Sequence, residues 1–214
     1  MDTRTQEAIR YLGYGNHAVD DHTLDLIEDV FKELDQLGPM KIVYRIFDIL
    51  QDANGHLQIG QLDIESKSLK RNLKACRQAI LLAASLGPGV DGLLRKYSIA
   101  DMARVVVIQA CAAASLEDQL DTWQSDMALK FKSENLYLRP RFSPGYGDFS
   151  IEHQPMFVQM LEASKRVGVT VTDSLMLSPS KSVTALIGIS KEAKICTVKG
   201  CEACTKTDCE FRRC

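Results

Sequence analysis

The chain has 214 residues, 45% hydrophobic and 25% charged, a composition that supports a buried core and excludes disorder, collagen and small disulfide scaffolds. Its 26 basic and 28 acidic residues leave a formal charge of -2, too little positive charge to condense onto nucleic acid or an anionic membrane. The apolar stretch at residues 105–114 contains Gln109 and falls short of the roughly 20 residues a membrane helix needs, and residues 1–10 carry charges in place of an apolar signal core; the expectation is a cytoplasmic protein.

Residues 1–20 read as an N-terminal segment ahead of one domain over residues 21–190. Leu24, Ile27, Phe31, Leu34 and Leu37 recur at spacings of three and four, the stripe of an amphipathic helix that Gly38-Pro39 stops. Residues 41–50 are β-branched and aromatic, and beyond Asn54-Gly55 the alternation Leu57, Ile59, Leu62, Ile64 predicts a hairpin partner. A short helix is expected from Ser66 through Leu73. The apolar run at residues 79–84 fits a buried strand or a helix end, and periodicity does not separate the two. Val90, Leu93, Leu94 and Tyr97 mark another helix, and the Ala-rich residues 99–132 have the strongest helical propensity in the chain. A helix carrying Phe157, Met160, Leu161 and Ser164 follows, then strand-like runs at residues 169–177 and 182–190. Helices grouped in the middle and strands at both ends predict an α+β fold, a mostly antiparallel twisted sheet with packed helices, in a single domain with a Cys-rich C-terminal tail.

Residues 139–148, Arg-Pro-Arg-Phe-Ser-Pro-Gly-Tyr-Gly-Asp, concentrate two guanidinium groups, two stiffening prolines, two glycines and a phenol. Such a loop suits a ligand with a carboxylate, which Arg grips through paired hydrogen bonds, and a flat or cationic group for Tyr; a rigid surface turn is the structural alternative. Asp148 either pairs with a ligand cation or caps the helix near His153. His153 and the serines at 143, 180 and 182 lack a partnered base, so a hydrolase is not indicated. Asp118, Asp121 and Asp126 read as a solvated helix face.

The pattern Arg141-x-x-x-Gly145-Tyr146 resembles the S-adenosylmethionine loop of the activation domain of cobalamin-dependent methionine synthase. Residues 83–87 running on to Glu117, and residues 170–183, resemble the same family, in the order found in its smaller stand-alone relatives. The resemblance implies S-adenosylmethionine binding by Arg141 (carboxylate), Gly145 (backbone contact), Tyr146 (adenine or sulfonium side), Glu117 (a polar group) and Asp148 (ammonium). It also implies a role in trans: helping the reductive methylation of a cobalamin carried by a corrinoid protein or methyltransferase, with a flavodoxin- or ferredoxin-like protein as reductant. The chain departs from the family at Gly147-Asp148, where proline is usual, and at Leu186-Ile187-Gly188, where aromatic residues are usual. No complete active site for methionine synthesis is present in this sequence.

Five of the seven cysteines fall in the last nineteen residues, at 196, 201, 204, 209 and 214. Thiolates at this density suit zinc or an iron–sulfur centre, with Cys196, Cys201, Cys204 and Cys209 as the expected ligand set, and they suit redox-active thiols or an inert tail as well. Two other functions therefore stand beside the first: a metal- or iron–sulfur-binding electron-delivery protein, and a degenerate non-catalytic module that only binds a partner. Cys76 and Cys111 read as small buried hydrophobes.

Overall fold

The computed structural model of the chain describes residues 2–14, 17–51 and 56–193. Helix α1 (Thr3–Tyr11) starts on Asp2, which accepts from the Thr5 amide, and α2 (Asp21–Asp35) starts on Asp20, which accepts from the Thr23 amide. Each carboxylate satisfies an N–H that the first helical turn leaves open. Arg4 of α1 reaches Asp35 at 2.8 Å and lies over the Phe31 ring, so the N-terminal segment is fastened to α2. Ala8 and Ile9 of α1 share a core cluster with Ile27, Val30, Phe31 and Leu34.

A six-stranded antiparallel sheet forms the other half of the molecule. Its members are β1 (Lys41–Gln51), β2 (Leu57–Ile59), β3 (Leu62–Ile64), β4 (Cys76–Ser85), β5 (Tyr137–Leu138) and, after a separate ribbon of β6 (Thr170–Val171) and β7 (Leu177–Ser178), β8 (Ser182–Ser190). The order across the sheet is β3-β2-β1-β4-β8-β5. The expected hairpin is present, with Ile49 opposite Ile59 and Gln51 opposite Leu57; the Asn54-Gly55 turn lies outside the described residues. The run at residues 169–177 differs from expectation. It is not one strand: the Thr172 amide donates to Met176 O at 2.8 Å, the Thr172 hydroxyl accepts from the Met176 amide, and the chain folds back to form the β6–β7 ribbon.

The remaining helices are α3 (Lys67–Asn72), α4 (Gly89–Tyr97), α5 (Met102–Lys132), α6 (Gln154–Leu161) and α7 (Ala163–Arg166). They cover both sheet faces. Ile80, Leu82, Ala84, Ala185 and Ile187 pack under Leu116, Leu120 and Met127 of α5. Ala79, Leu81, Ala83 and Leu186 pack against Leu69 of α3 and Phe157 and Leu161 of α6. Burial on two sides makes residues 79–84 uniformly apolar, and it resolves the ambiguous run as the central strand β4.

Helix α5 is the spine. At 31 residues it is about 46 Å long, capped by Asp101 accepting from the Arg104 amide, with Lys130 and Lys132 in the last turn where cations suit the helix dipole. Its first half, Val107 to Ala114, packs against α1 and α2, and its second half packs on the sheet. Among the described residues no helix is long and apolar enough to cross a membrane.

Phe157 is fully buried beneath the sheet, beside Phe149. Phe157→Ala removes a large core ring and leaves a cavity, and should cost about 3–5 kcal/mol of unfolding free energy, read by urea denaturation; a loss below about 1 kcal/mol would contradict this packing.

Candidate functional site

Residues 139–149 run along the free edge of β8. The Arg139 amide donates to Gly188 O at 2.8 Å, and Phe142 and Leu186 exchange both backbone hydrogen bonds, at 2.9 and 2.8 Å. The loop thus continues the edge strand begun by β5. Its far end is rooted in the core: the ring of Phe149, 1% exposed, stacks on Phe142 and packs against His153 and Phe157, with centroids 5.3 to 6.3 Å apart. Burial of His153 against this ring pushes its pKa down, which favours the neutral imidazole.

The two arginines of the loop have different work. Arg139 is buried, and its guanidinium donates to Lys74 O at 3.2 Å and Ser190 Oγ at 3.4 Å, fastening the turn before β4. Arg141 turns the other way, onto α5. Its Nη2 donates to Glu117 Oε2 at 2.9 Å and Asp121 Oδ1 at 2.6 Å, and its Nη1 donates to Gln124 Oε1 at 2.9 Å. Residues 117, 121 and 124 fall on one side of the helix because they are four and three apart. Asp121, expected on a solvated face, is half of an ion pair. The 117, 121, 124 spacing was the signal that could have identified it. Arg141 Nε meets no hydrogen-bond acceptor among the described residues.

The tip of the loop is a tight turn. Gly145 has φ 93° and Gly147 φ 57°, backbone that a side chain resists. The Gly145 amide donates to Phe149 O at 2.7 Å. A Cβ on Gly145 would meet nothing nearer than Ile151 at 3.8 Å, whereas one on Gly147 would stand 3.1 Å from Ser68 Oγ. Between them Tyr146 is 68% exposed, its ring free for a partner.

Asp148 does act as a cap, on α3 and not on the helix near His153. Its carboxylate accepts from Ser66 Oγ at 2.6 Å, from the Lys67 amide at 2.7 Å and from the Ser68 amide at 3.0 Å. The turn at Ile151–His153 instead begins on Ser150, whose hydroxyl accepts from the Glu152 amide. The hydrogen bond from Ser66, followed by those from the two amides, holds the Asp148 carboxyl well below the ordinary carboxylate range.

Arg141, Glu117, Asp121 and Gln124 therefore meet in one cluster, with Gly145 and Tyr146 on the turn beyond, while Asp148 is committed to α3. Cys196, Cys201, Cys204 and Cys209 lie outside the described residues; among the described residues no group of three or more His, Cys, Asp or Glu side chains is placed to hold a metal. Cys111 is buried and its thiol is pushed up to about 12 by desolvation, and the half-buried Cys76 is shifted upward for the same first reason.

An edge loop that aims a guanidinium at two carboxylates on a central helix, above a fully antiparallel sheet, describes an α+β domain with helices on both sheet faces. The sequence model of one family, "Vitamin B12 dependent methionine synthase, activation domain", matches residues 107–213, half of the chain. The chain belongs to that family. Among solved structures it is similar to one titled "Crystal Structure of the MetH Reactivation Domain bound to AdoHcy", at 14% identity and a TM-score of 0.60, over 89% of this chain and 77% of that one. That likeness establishes a shared fold. No curated protein matches the chain.

The Asp148 cap generates a pH prediction. A carboxyl whose folded pKa is depressed contributes stability that is complete above its unfolded value, near 3.8, and is lost as pH falls from there toward the folded value. Asp148→Asn should be less stable than the wild type at pH 7, with the gap narrowing as pH falls below 4; a gap independent of pH would show that the carboxylate charge is not what caps α3.

Proposed function

We propose that the protein binds S-adenosylmethionine through the Arg141 cluster and supports the reductive methylation of a cobalamin carried by a separate corrinoid protein or methyltransferase. Family membership supports the general role, and the AdoHcy named with the similar structure is the product left when S-adenosylmethionine gives up its methyl group. The observation that carries the reading to particular residues is one cation flanked by two anions, Arg141 between Glu117 and Asp121.

An α-amino-acid headgroup has the complementary charge pattern. Its carboxylate accepts from the Nε–H that Arg141 leaves unused, and its ammonium takes Glu117 or Asp121, whose combined charge Arg141 does not balance. Gly145, whose Cα faces only the Ile151 side chain, lets the ligand approach the backbone, and the exposed Tyr146 ring offers a face to the sulfonium or adenine. Asp148 contributes indirectly, by fixing the turn against α3.

Bound there, S-adenosylmethionine would supply a methyl group already activated as a sulfonium to a reduced corrinoid on the partner. The chain's own residues bind, orient and exclude alternative poses, which is the contribution that proximity requires. The electron comes from a separate reductant in this scheme, of the flavodoxin or ferredoxin type.

Calorimetric titration with S-adenosylmethionine tests the reading. Saturable binding is expected, with a gain of about 2.7 kcal/mol in stability at a ligand concentration a hundred times Kd, and Arg141→Ala should weaken binding by a factor of about ten or more, the loss of one charge-assisted pair. Absence of binding, or equal binding by the Arg141→Ala variant, would remove the proposal.

A further inference from the structure

The region of α3 and the turn after it carries a feature the methyl-donor site does not use. From Ser66 to Val90 the sequence has five cations and no acid, in a chain whose net charge is -2. Four of the cations, Lys67, Lys70, Arg71 and Lys74, line one cleft of about 400 Å³ whose apolar walls include Ile49, Leu57 and Leu73. All four are exposed, and none forms an ion pair among the described residues. A volume of this size is in the range of small-ligand sites.

The cleft wall is built and held. Ala75, at its far end, has φ 62°, a conformation that costs a non-glycine residue energy and persists only where neighbours impose it. Two neighbours impose it: Arg139 donates to Lys74 O and Ser190 Oγ donates to Ala75 O at 3.2 Å. At the other end Asp148 caps α3, and between the two, at the last residue of the helix, Asn72 Nδ2 donates to Pro140 O at 3.3 Å. The cations are therefore mounted on a segment fixed at both ends before any ligand arrives, which lowers the ordering cost of binding.

We infer that this cleft binds a small phosphorylated ligand with a planar or apolar body. A phosphate monoester carries nearly two negative charges and three acceptor oxygens, which matches several cations on one cleft better than a single carboxylate does, while the body of the ligand lies against Ile49, Ala75 and Cys76, the lining residues that keep apolar surface. The site is separate from Arg141 and does not depend on methyl-donor binding.

Uridine 5′-monophosphate is a suitable probe because it lacks the adenine and amino-acid parts of the methyl donor. In titrations of the full chain at low salt, uridine 5′-monophosphate should bind at least ten times more tightly than uridine and more tightly than inorganic phosphate. Binding should weaken about tenfold in the double variant Lys70→Glu/Arg71→Glu, and less in Lys67→Gln, which checks the site with a milder change. Lys130→Glu, on a different helix, should leave it unchanged. Retention of nucleotide binding by Arg141→Ala separates this cleft from the methyl-donor site. Equal affinity for uridine, equal affinity for inorganic phosphate, or full binding by the charge-reversed variant would each overturn the inference.

Discussion

The junction between Arg141 and helix α5 is where the fold becomes a site. Two carboxylates and an amide, spaced at 117, 121 and 124, face one guanidinium from an edge loop, so a helix that runs through both cores sets the position of Arg141. As a stabilising element the cluster is modest: Asp121 is 65% exposed, and solvent screens pairs of that kind. Its value is geometric. One positive charge between two negative ones leaves an anionic remainder beside a guanidinium with an unused N–H, and a zwitterion answers both.

The loop can hold this geometry because nearly every other part of it is tied down. Phe142 is paired with Leu186 through the backbone, Phe149 is sunk in the core, Asp148 caps α3, and Arg139 donates to the Lys74 carbonyl and the Ser190 hydroxyl behind the sheet edge. Only Tyr146 and its flanking glycines project. The same ties fix α3 from both ends, so one loop organises two neighbouring surfaces, the acid-flanked arginine on one side and the basic cleft on the other.

Much of this was legible in the sequence where the signal was local. The Arg-Pro-Gly-Tyr composition of residues 139–148 marked the loop, alternation marked β2 and β3, and Ala-rich propensity marked α5. What escaped was non-local or masked by exposure. Helix α1 buries only Ala8 and Ile9, too short a stripe to register, and it is fixed by Arg4 reaching Asp35. Residues 79–84 were undecidable because burial on both faces erases the period of two. Asp148 finds its amides 80 residues away in sequence, and no turn or helix signal near position 148 announces that; its carboxylate could only be placed once α3 was seen beside the loop. Asp121 looked solvated because it is, while still serving Arg141.

The proposed binding of S-adenosylmethionine requires a carboxylate-to-guanidinium contact, and a double-mutant cycle measures that contact directly. Affinities of the wild type and Arg141→Ala would be compared for S-adenosylmethionine and for its decarboxylated analogue. The prediction is strong coupling: the arginine matters for the intact ligand and hardly at all once the carboxylate is gone. Equal losses for both ligands would mean that Arg141 serves the protein and not the headgroup, and would contradict the assignment.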